Sequence, residues 1–492
     1  MKYLRTRQLV FIILFVIFSV ICAIFVIKFK RKSNIEETRI VQNDSYDFLV
    51  YNTEPEIQEC LEKLADEYRN KSGIVPAVSL KESEMIADFH SDSNSNSVPD
   101  IFMIKNFDEM KIQTQYGNIL DFMNASEKTF QEIAKNIPNI LQAQINEINN
   151  CGVPLTVCGA GFAVNKKLLA SIFGEEAYKN IINDLIPCSY EDFENFVKNL
   201  KSSVSVTLNN KNYNINQESI KFLEAIFSFH MESPISKMLN NIFSLHFENS
   251  SDLSSSENLS NMQGEFSNWL RVLDLISSNT LIPRGKDFIN LDKNSKINSI
   301  KKFSEGKTLF LVANDKDYYD IKSYNSEVAS HLIFIPFKFP YENNINIKNI
   351  NININENQDI NKNKNMNTSL TVYCPYYFMI NAKSSKSKIA QDFLTWIVSA
   401  PVARKILLEE ANFVSYDIRD SSTIENTLSR SVINYLQSEN VLMPVFQGIK
   451  KNWLNSVTQN LIKKYFNTNI WNNYYYDNFD TYCIKKWGNN NN

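Results

Sequence analysis

The segment at residues 151–169, CGVPLTVCGAGFAVNKKLL, constrains the fold more than any other stretch of the chain. Its apolar part predicts a strand, and Asn165-Lys166-Lys167 predicts the start of a short helix. The residue pattern changes at Gly152, so we interpret the segment as a strand that leaves one folded unit and enters a second. Such a chain has two lobes with a cleft between them, and the cleft is the expected place for a functional site.

Length and charge limit the classes of function. At 492 residues the chain is too long for one ordinary domain of about 150 residues and suits two large lobes. Its 51 Lys and Arg residues nearly balance 54 Asp and Glu residues, so no basic field favours binding to nucleic acid. The chain has only 11 glycines, which argues against glycine-rich phosphate-binding loops.

An apolar run at residues 9–27 is long enough for a helix to cross a bilayer core of roughly 30 Å. Residues 1–32 are therefore predicted to be a membrane anchor or signal segment, with a polar linker at 33–45. Basic residues flank the run on both sides, which leaves its orientation open. An uncleaved anchor is favoured, and lipidation at Cys22 or cleavage to a secreted form are the alternatives.

The segment after the linker has the pattern of an α/β lobe. Strands are predicted at residues 47–51, 74–80 and 100–104, with a helix between the first two. Thr53 and Glu56 have the spacing of a capping box at the start of that helix, and Gly73 is the expected terminator. Ligands of such sheets bind at the carboxyl ends of the strands, here residues 52–54 and 105–108.

The rest of the chain alternates between helical and strand patterns. Helices are predicted at 190–200, 218–230, 264–277, 297–302, 389–397 and 401–411, and strands at 308–313, 332–336 and 370–381. Residues 314–320, with two aromatics among carboxylates, are predicted to be a loop. An Asn/Ile/Lys repeat at 342–368 has no usable core face and predicts a disordered surface insertion. The six cysteines after Cys22 are interpreted as buried free thiols rather than disulfides.

Residue patterns of catalytic sites are absent from the sequence. The four histidines have no metal-site spacing, no G-x-S-x-G motif occurs, and Gly159-Ala160-Gly161 does not continue into a dinucleotide fingerprint. We therefore predict no enzyme activity, no metal and no cofactor. The two carboxylates of a glycoside hydrolase carry no local signature, so that class stays open on the residues alone.

Six segments, taken in order, resemble family 1 extracellular solute-binding proteins, the sugar receptors of ABC importers. The similarity runs from about residue 47 to residue 466. Each segment is weak by itself, and their shared order is the stronger signal. The segments are DFLVYNTEPEIQECLEKLADEYRNKSGI, PDIFMIKNFDEM, YGNILDF, GVPLTVCGAGFAVNKKLL, FSEGKTLFLVANDKDYY and KIAQDFLTWIVSAPVARKILLEEANFV.

The resemblance implies a two-lobe periplasmic-binding-protein-like α/β fold of type II, in which strands cross a hinge and the lobes close on a ligand. The N-lobe would take residues 46–155 and 373–425, and the C-lobe 156–372 and 426–487. The implied function is capture of a small solute, a carbohydrate first of all, and its delivery to ABC permease subunits by a monomer on the extracellular side of the membrane. The alternative is a tethered receptor that senses or anchors without transport.

Ligand-contacting residues are also implied by the resemblance. Eight residues separate Met443-Pro444 from Trp453, which is the spacing of a family stacking tryptophan. Cys158 and Ala160 depart from the pattern, because an aromatic is common near this crossing. The full set of predicted ligand-binding residues is Tyr51, Asn52, Glu54, Asp317, Tyr318, Tyr319, Tyr376 and Trp453.

Overall fold

The computed structural model describes residues 46–80, 99–104, 119–122, 125–137, 141, 144–145, 148–149, 151–230, 235–246, 262–285, 287–288, 295–340, 366–418, 421–442, 451–469 and 471–488. The chain divides at Asp47, and the following account concerns the unit Phe48–Asn492. No helix within the described ranges is long and apolar enough to cross a membrane. The predicted anchor at 9–27, the linker at 33–45 and most of the predicted insertion at 342–368 lie outside these ranges.

Strands form a five-stranded sheet in the order β2-β1-β3-β14-β6 and a six-stranded sheet in the order β10-β11-β7-β13-β15, with β12 also paired to β7. Two small hairpins, β4-β5 and β8-β9, complete the described strands. In chain order the strands are β1 Phe48–Asn52, β2 Pro76–Leu80, β3 Ile101–Ile104, β4 Gln144–Ile145, β5 Ile148–Asn149, β6 Val153–Pro154, β7 Cys158–Asn165, β8 Ser205–Leu208, β9 Lys211–Asn214, β10 Ala225–Ser228, β11 Thr308–Asn314, β12 Leu332–Ile335, β13 Leu370–Tyr373, β14 Tyr377–Ile380 and β15 Val441–Leu442.

Helices cover both sheets, and a π-helical turn at Leu461–Tyr465 follows one of them. In chain order the described α-helices are α1 Gln58–Ser72, α2 Lys128–Asn136, α3 Lys166–Phe173, α4 Ala177–Leu185, α5 Tyr190–Asn199, α6 Gln217–Ile220, α7 Ile235–His246, α8 Glu265–Ser278, α9 Lys296–Ser304, α10 Asp317–Tyr324, α11 Ser326–Ser330, α12 Ser387–Ser399, α13 Pro401–Ala411, α14 Thr427–Gln437, α15 Lys451–Asn460 and α16 Asn473–Gly488.

The five-stranded sheet packs against α1 and α12. Its strands β1, β2 and β3 are parallel, and β14 runs antiparallel to β3. Tyr68 of α1 meets the rings of Phe393 and Trp396 on α12 at centroid distances of 5.0 and 5.3 Å. The helix α1 ends as predicted at Gly73, which has φ of +74° and donates its N–H to the carbonyl of Arg69.

The predicted capping box at the start of this helix is wrong. A 3-10 turn at Pro55–Ile57 precedes α1, and its cap, Glu54, makes no side-chain capping bond. The side chain of Asn52 instead accepts the N–H of Glu54 at 2.9 Å, while the hydroxyl of Thr53 has no hydrogen-bond partner. An Asx turn therefore replaces the expected capping box, because the side chain of Asn52 accepts the backbone N–H of Glu54.

Phe162 of β7 is at the centre of the core beside the six-stranded sheet. Its ring is stacked on Phe193 at 5.3 Å and lies 5.6 Å from Phe227, 6.2 Å from Phe310 and 5.3 Å from Phe337. The alternate residues of β7 point to the opposite face, where a separate core contains helices α9, α10 and α14. Both faces of β7 are thus covered, which explains its unbroken burial.

Small residues in β7 allow this close packing. A Cβ atom on Gly161 would lie 2.6 Å from the backbone oxygen of Ile335 on the neighbouring strand, and one on Gly159 would lie 2.3 Å from a methyl of Val432. Cys158 and Ala160, which stand where the resemblance led us to expect an aromatic side chain, are both buried in the same strand. Close packing therefore requires glycine at two positions of this segment.

Other predictions about secondary structure need correction. Residues 218–230 are not one helix: α6 ends at Ile220, and the buried residues of β10 pair in parallel with β11. Residues 314–320 are not a loop, because α10 begins at Asp317. Residues 370–381 are two strands in different sheets, interrupted at 374–376. The six cysteines of the described chain are buried free thiols.

Candidate functional site

Three chain crossings connect the two large sheets within the described residues. Residues 155–157 join β6 to β7, residues 374–376 join β13 to β14, and the third crossing lies at Phe413 and Val414. Phe413 packs into the core of the five-stranded sheet, whereas Val414 packs into a core of the six-stranded sheet. The chain thus passes between the lobes at three adjacent places.

Hydrogen bonds hold these crossings side by side. The hydroxyl of Thr156 accepts the N–H of Val414 at 3.0 Å and donates to the carbonyl of Val414 at 3.1 Å. That carbonyl also accepts the N–H of Val157 at 3.1 Å, and the N–H of Leu155 donates to Tyr376 at 3.3 Å. These hydrogen bonds hold the three crossing segments against one another.

The carboxyl end of β1 supplies one side of the space beside the crossings. Tyr51 is buried, and the amide of Asn52 is used locally, donating to the carbonyl of Glu54 at 2.7 Å and to Gln58 at 2.9 Å. Glu54 itself is partly exposed. Burial, and then the nearby carboxylate of Glu54, raise the pKa of Tyr376. The Glu54 carboxylate is therefore near enough to the second crossing to act on Tyr376, whereas Asn52 has a structural role.

The carboxyl end of β11 supplies the opposite side. The carboxylate of Asp315 is fully buried and accepts bonds from the N–H of Gly159 at 3.2 Å and the hydroxyl of Ser429 at 2.8 Å. Burial raises the pKa of Asp315 to about 6. Asp317 accepts the N–H of Asn314 at 2.8 Å and lies 3.5 Å from the Lys296 ammonium. Both carboxylates therefore stabilise the turn between the end of β11 and the start of α10.

Lys316 lies between these two acids and extends to the other sheet. Its Nζ is 5.4 Å from the centroid of the Tyr376 ring and 5.2 Å from that of Phe413. The two rings are themselves stacked, with centroids 5.4 Å apart and planes at 29°. A cation from one lobe therefore lies over an aromatic pair of the other, at distances typical of cation–π contacts.

Two of the predicted aromatic ligand contacts belong to α10. Tyr318 is buried in the core that includes α14, and Tyr319 is half-buried against it, with the two ring centroids 5.2 Å apart. The helix, rather than the predicted loop, turns Tyr318 inward. The structure thus assigns Tyr318 to the core and leaves Tyr319 partly accessible.

The predicted stacking role of Trp453 is contradicted by its burial. Its side chain is 0% exposed and its indole N–H donates to the carbonyl of Cys483 at 2.9 Å. The ring packs among Phe243, Phe266 and Trp487, with centroid distances of 5.6, 5.7 and 5.2 Å. The helical spacing that suggested a ligand contact is here the spacing of a core helix face.

Lys237 and Tyr373 are site candidates that the sequence did not reveal. The Nζ of Lys237, on α7, lies 3.8 Å from the centroid of the Tyr373 ring. The Tyr373 hydroxyl donates to the side-chain oxygen of Asn314 at 2.9 Å, and Tyr373 is paired in register with Cys158 on the first crossing strand. Burial lowers the pKa of Lys237 to about 8. Nothing local in the sequence around Lys237 indicates this position.

A second concavity lies away from the crossings. It has a volume of about 1030 Å³ and is open to solvent, between residues 282–287 and residues 467–475. Its Arg284 is already paired with Asp274 and lies 4.5 Å from the centroid of the Trp471 ring. The charge of Arg284 is therefore already engaged by a carboxylate and an aromatic ring of the protein.

Comparisons with known proteins agree with this architecture. No protein-family profile and no curated protein sequence matches the chain. Among solved structures, a family 1 extracellular solute-binding protein from Bifidobacterium longum subsp. infantis has a TM-score of 0.59 at 13% identity and covers 90% of this chain and 98% of its own. One from Alicyclobacillus acidocaldarius has a TM-score of 0.58 at 11% identity, covering 91% and 100%.

A third relative is the GacH receptor of Streptomyces glaucescens, with a TM-score of 0.53 at 12% identity over 89% of this chain and 96% of its own. Its structures include complexes with acarbose and an acarbose homolog. At these identities the likeness concerns the fold. The chain has the two-lobe α/β fold of family 1 extracellular solute-binding proteins, so the resemblance predicted from the six sequence segments is confirmed at that level.

Proposed function

We propose that this protein is an extracytoplasmic solute-binding protein that captures a carbohydrate between its two lobes and delivers it to an ABC import permease. The observation that carries the proposal is the contact of Lys316 with the stacked rings of Tyr376 and Phe413. It brings a polar group from one lobe to a buried aromatic pair of the other, beside the crossings. The fold shared with the GacH receptor, which was determined in complex with acarbose, supports the same class of ligand.

The chemistry of the site suits a sugar. Aromatic rings offer an apolar face for the C–H groups of the sugar ring, and carboxylate or ammonium groups bind its hydroxyls through charge-assisted hydrogen bonds. We assign these roles to Tyr373, which is partly buried, to Tyr376, which is buried in this structure and which movement of the lobes would have to uncover, and to the charged groups of Glu54 and Lys316. Micromolar binding corresponds to about 8 kcal/mol, which a few such contacts supply.

Ligand capture would close the lobes. The crossings at residues 155–157, 374–376 and 413–414 are the hinge, and the ligand would contact Glu54 on one side and Lys316 on the other. We assign residues 46–155 and 376–413 to one lobe and residues 157–373 and 414–487 to the other, which moves the boundary predicted at 425 back to the third crossing because Val414 and Ile424 pack in a core of the six-stranded sheet. A ligand that touches both lobes stabilises the closed state by its differential affinity for that state.

We further propose that the protein acts as a monomer, without enzyme activity, on the extracellular side of the cell membrane. The apolar run at residues 9–27 would hold it there, which leaves the two lobes free to meet the permease subunits. The solved relatives are binding proteins rather than enzymes, which supports a role in capture instead of chemistry.

Differential scanning fluorimetry of the full chain in detergent tests the proposal. The panel contains neutral monosaccharides, neutral oligosaccharides and acidic sugars, with amino acids and short peptides as controls. A ligand that binds only the folded state raises the melting temperature, so at least one carbohydrate is expected to do so. A rise with peptides or amino acids and with no carbohydrate would overturn the assignment.

A further inference from the structure

We propose that the captured solute is an acidic sugar, a carbohydrate bearing a carboxylate or phosphate group, and that Lys237 and Lys316 bind its anionic group beside the crossings. This inference rests on the proposed function and specifies its ligand class. It follows from the position of two ammonium groups that face the same short segment of chain from different elements.

The two lysines approach the second crossing from α7 and from the end of β11. Lys237 lies over the ring of Tyr373, and Lys316 lies over the ring of Tyr376, three residues further along the chain. Both ammonium groups are near the thiol of Cys158. Burial raises the pKa of this thiol, and each of the two positive charges acts to lower it. A ligand at this crossing therefore meets both positive charges together.

Within the described residues, neither lysine forms an ion pair with a carboxylate. Asp315, next to Lys316, binds Gly159 and Ser429, and Asp317 binds Asn314 and Lys296. The ammonium group of Lys237 contacts the aromatic ring of Tyr373 rather than an acid. The carboxylates of Asp315 and Asp317 thus bind groups near the end of β11. Neither carboxylate neutralises the ammonium group of Lys237 or Lys316, so both ammonium groups are available to an anionic ligand.

Burial makes this arrangement selective. Lys237 and Lys316 are partly buried, and burial lowers the pKa of Lys237 because an ammonium loses water without gaining a carboxylate. An anion in the cleft would restore the missing partner, whereas the hydroxyls of a neutral sugar would leave the charge uncompensated. Desolvated charge pairs of this kind discriminate strongly against neutral analogues.

The titratable groups around Lys237 set the conditions for this binding. Cys158, Cys374 and Tyr373 face Lys237 from the crossings. From the β11 side, Asp315 and Lys316 act on Cys158, and Asp315 and Asp317 act on Tyr373. Burial raises the pKa of Cys374 to about 12 and that of Cys158 well above its usual value, so both thiols are neutral near pH 7. No thiolate therefore competes with an incoming anion for the lysines.

The test uses matched neutral and acidic sugars on the full chain in detergent. Glucose is compared with glucuronate and glucose 6-phosphate, and galactose and its oligomers with galacturonate and oligogalacturonates, by calorimetry and melting temperature. An acidic member is expected to bind more tightly than its neutral partner. The comparison of carboxylate with phosphate identifies which anionic group the site takes.

Substitution of the lysines makes the test specific. We expect Lys237→Met and Lys316→Met each to weaken binding of the acidic sugar by about ten- to a hundredfold, the usual loss for one charged hydrogen bond. Lys179→Met is the matched control, because Lys179 also lies over an aromatic ring, that of Tyr178 at 6.0 Å, but is exposed on α4. Melting curves without ligand establish that each variant is folded, and Lys237→Arg should retain binding.

The outcomes separate this inference from the proposed function. Tight binding of neutral sugars, with no gain from an acidic group, would overturn the inference and leave the carbohydrate receptor intact. Binding of an acidic sugar that both lysine variants retain would also overturn it. Failure of every carbohydrate, neutral or acidic, would overturn the proposed function and the inference together.

Discussion

The ammonium of Lys237 lies 3.8 Å from the centre of the Tyr373 ring, which joins helix α7 to the strand that leads into the second crossing. The contact places a charge where the two lobes meet. Because the Tyr373 hydroxyl also donates to Asn314, the residue just before the second crossing contacts both α7 and the end of β11. This pair therefore connects the candidate ligand site with the hinge.

Lys237→Met is expected to stabilise the ligand-free protein. Burial lowers the pKa of Lys237 from its usual 10.5 to about 8, so the charged form is disfavoured in the folded state. This cost is complete below pH 8 and disappears as pH rises toward 10.5, where the lysine also loses its proton in the unfolded chain. Urea denaturation at pH 7 should show a gain of about 2 kcal/mol in the free energy of unfolding.

The same experiment at pH 10.5 provides the control for that prediction. There the folded and unfolded states hold the lysine in similar protonation states, so the difference between the variant and the natural chain should largely disappear. Lys179→Met should change the stability little at either pH, since Lys179 is exposed. A destabilised Lys237→Met protein at pH 7 would contradict the assignment of an uncompensated charge.

Binding of an acidic sugar should weaken as the pH rises above about 8. Lys237 must be protonated to bind an anion, and burial places its pKa near 8 in the free protein. Above that pH, proton uptake accompanies binding, and the affinity falls by up to about tenfold for each pH unit. Calorimetry across pH 6 to 10 measures the slope, which should be absent in Lys237→Met; a slope that persists would assign the titration to another group.

Trp453→Ala should lower stability and leave ligand recognition in place. The side chain fills a core between α7, α8 and α16, so its truncation is expected to cost about 3–5 kcal/mol. Trp453→Phe keeps most of the volume and should cost less. Denaturation curves and ligand calorimetry on the folded fraction distinguish this from a stacking role, in which stability would be preserved and binding lost.

Thr156→Val should weaken the hinge. The substitution keeps the shape of the side chain but removes the hydroxyl that binds both backbone groups of Val414, and it leaves the Val414 N–H buried without this acceptor. The expected loss in the free energy of unfolding is about 1–3 kcal/mol. Thr156→Ser retains the hydroxyl and serves as the control. Equal stability of the two variants would show that these bonds do not hold the crossings together.

Local patterns predicted the elements whose signals lie within a few residues. The apolar spacing in α1, its terminal Gly73 and the strands β1, β3 and β11 follow from residue types alone. Residues 218–230 were misassigned because a short apolar strand and a buried helix have similar composition. The β10 segment becomes a strand through its pairing with β11, which is a tertiary effect.

The site was less predictable than the fold. Tyr376 and Glu54 were predicted because each lies in or just after a predicted strand, and their ligand contacts stay predictions. Trp453 lies in a core, because helical spacing does not reveal which neighbours a helix face meets. Lys237 is an ordinary lysine on a helix, and its proximity to Tyr373 arises from packing between elements more than 130 residues apart in sequence. A contact between residues so far apart in the chain cannot be predicted from the residue pattern of a single sequence.

The most direct test of the account is a crystal structure of the protein with the sugar that produces the largest rise in melting temperature. We predict that the sugar lies between the two sheets, against Tyr373 and Tyr376, with its acidic group in hydrogen-bond contact with Lys237 and Lys316. A sugar bound in the open groove beside Arg284 and Trp471, or anywhere away from the chain crossings, would contradict it.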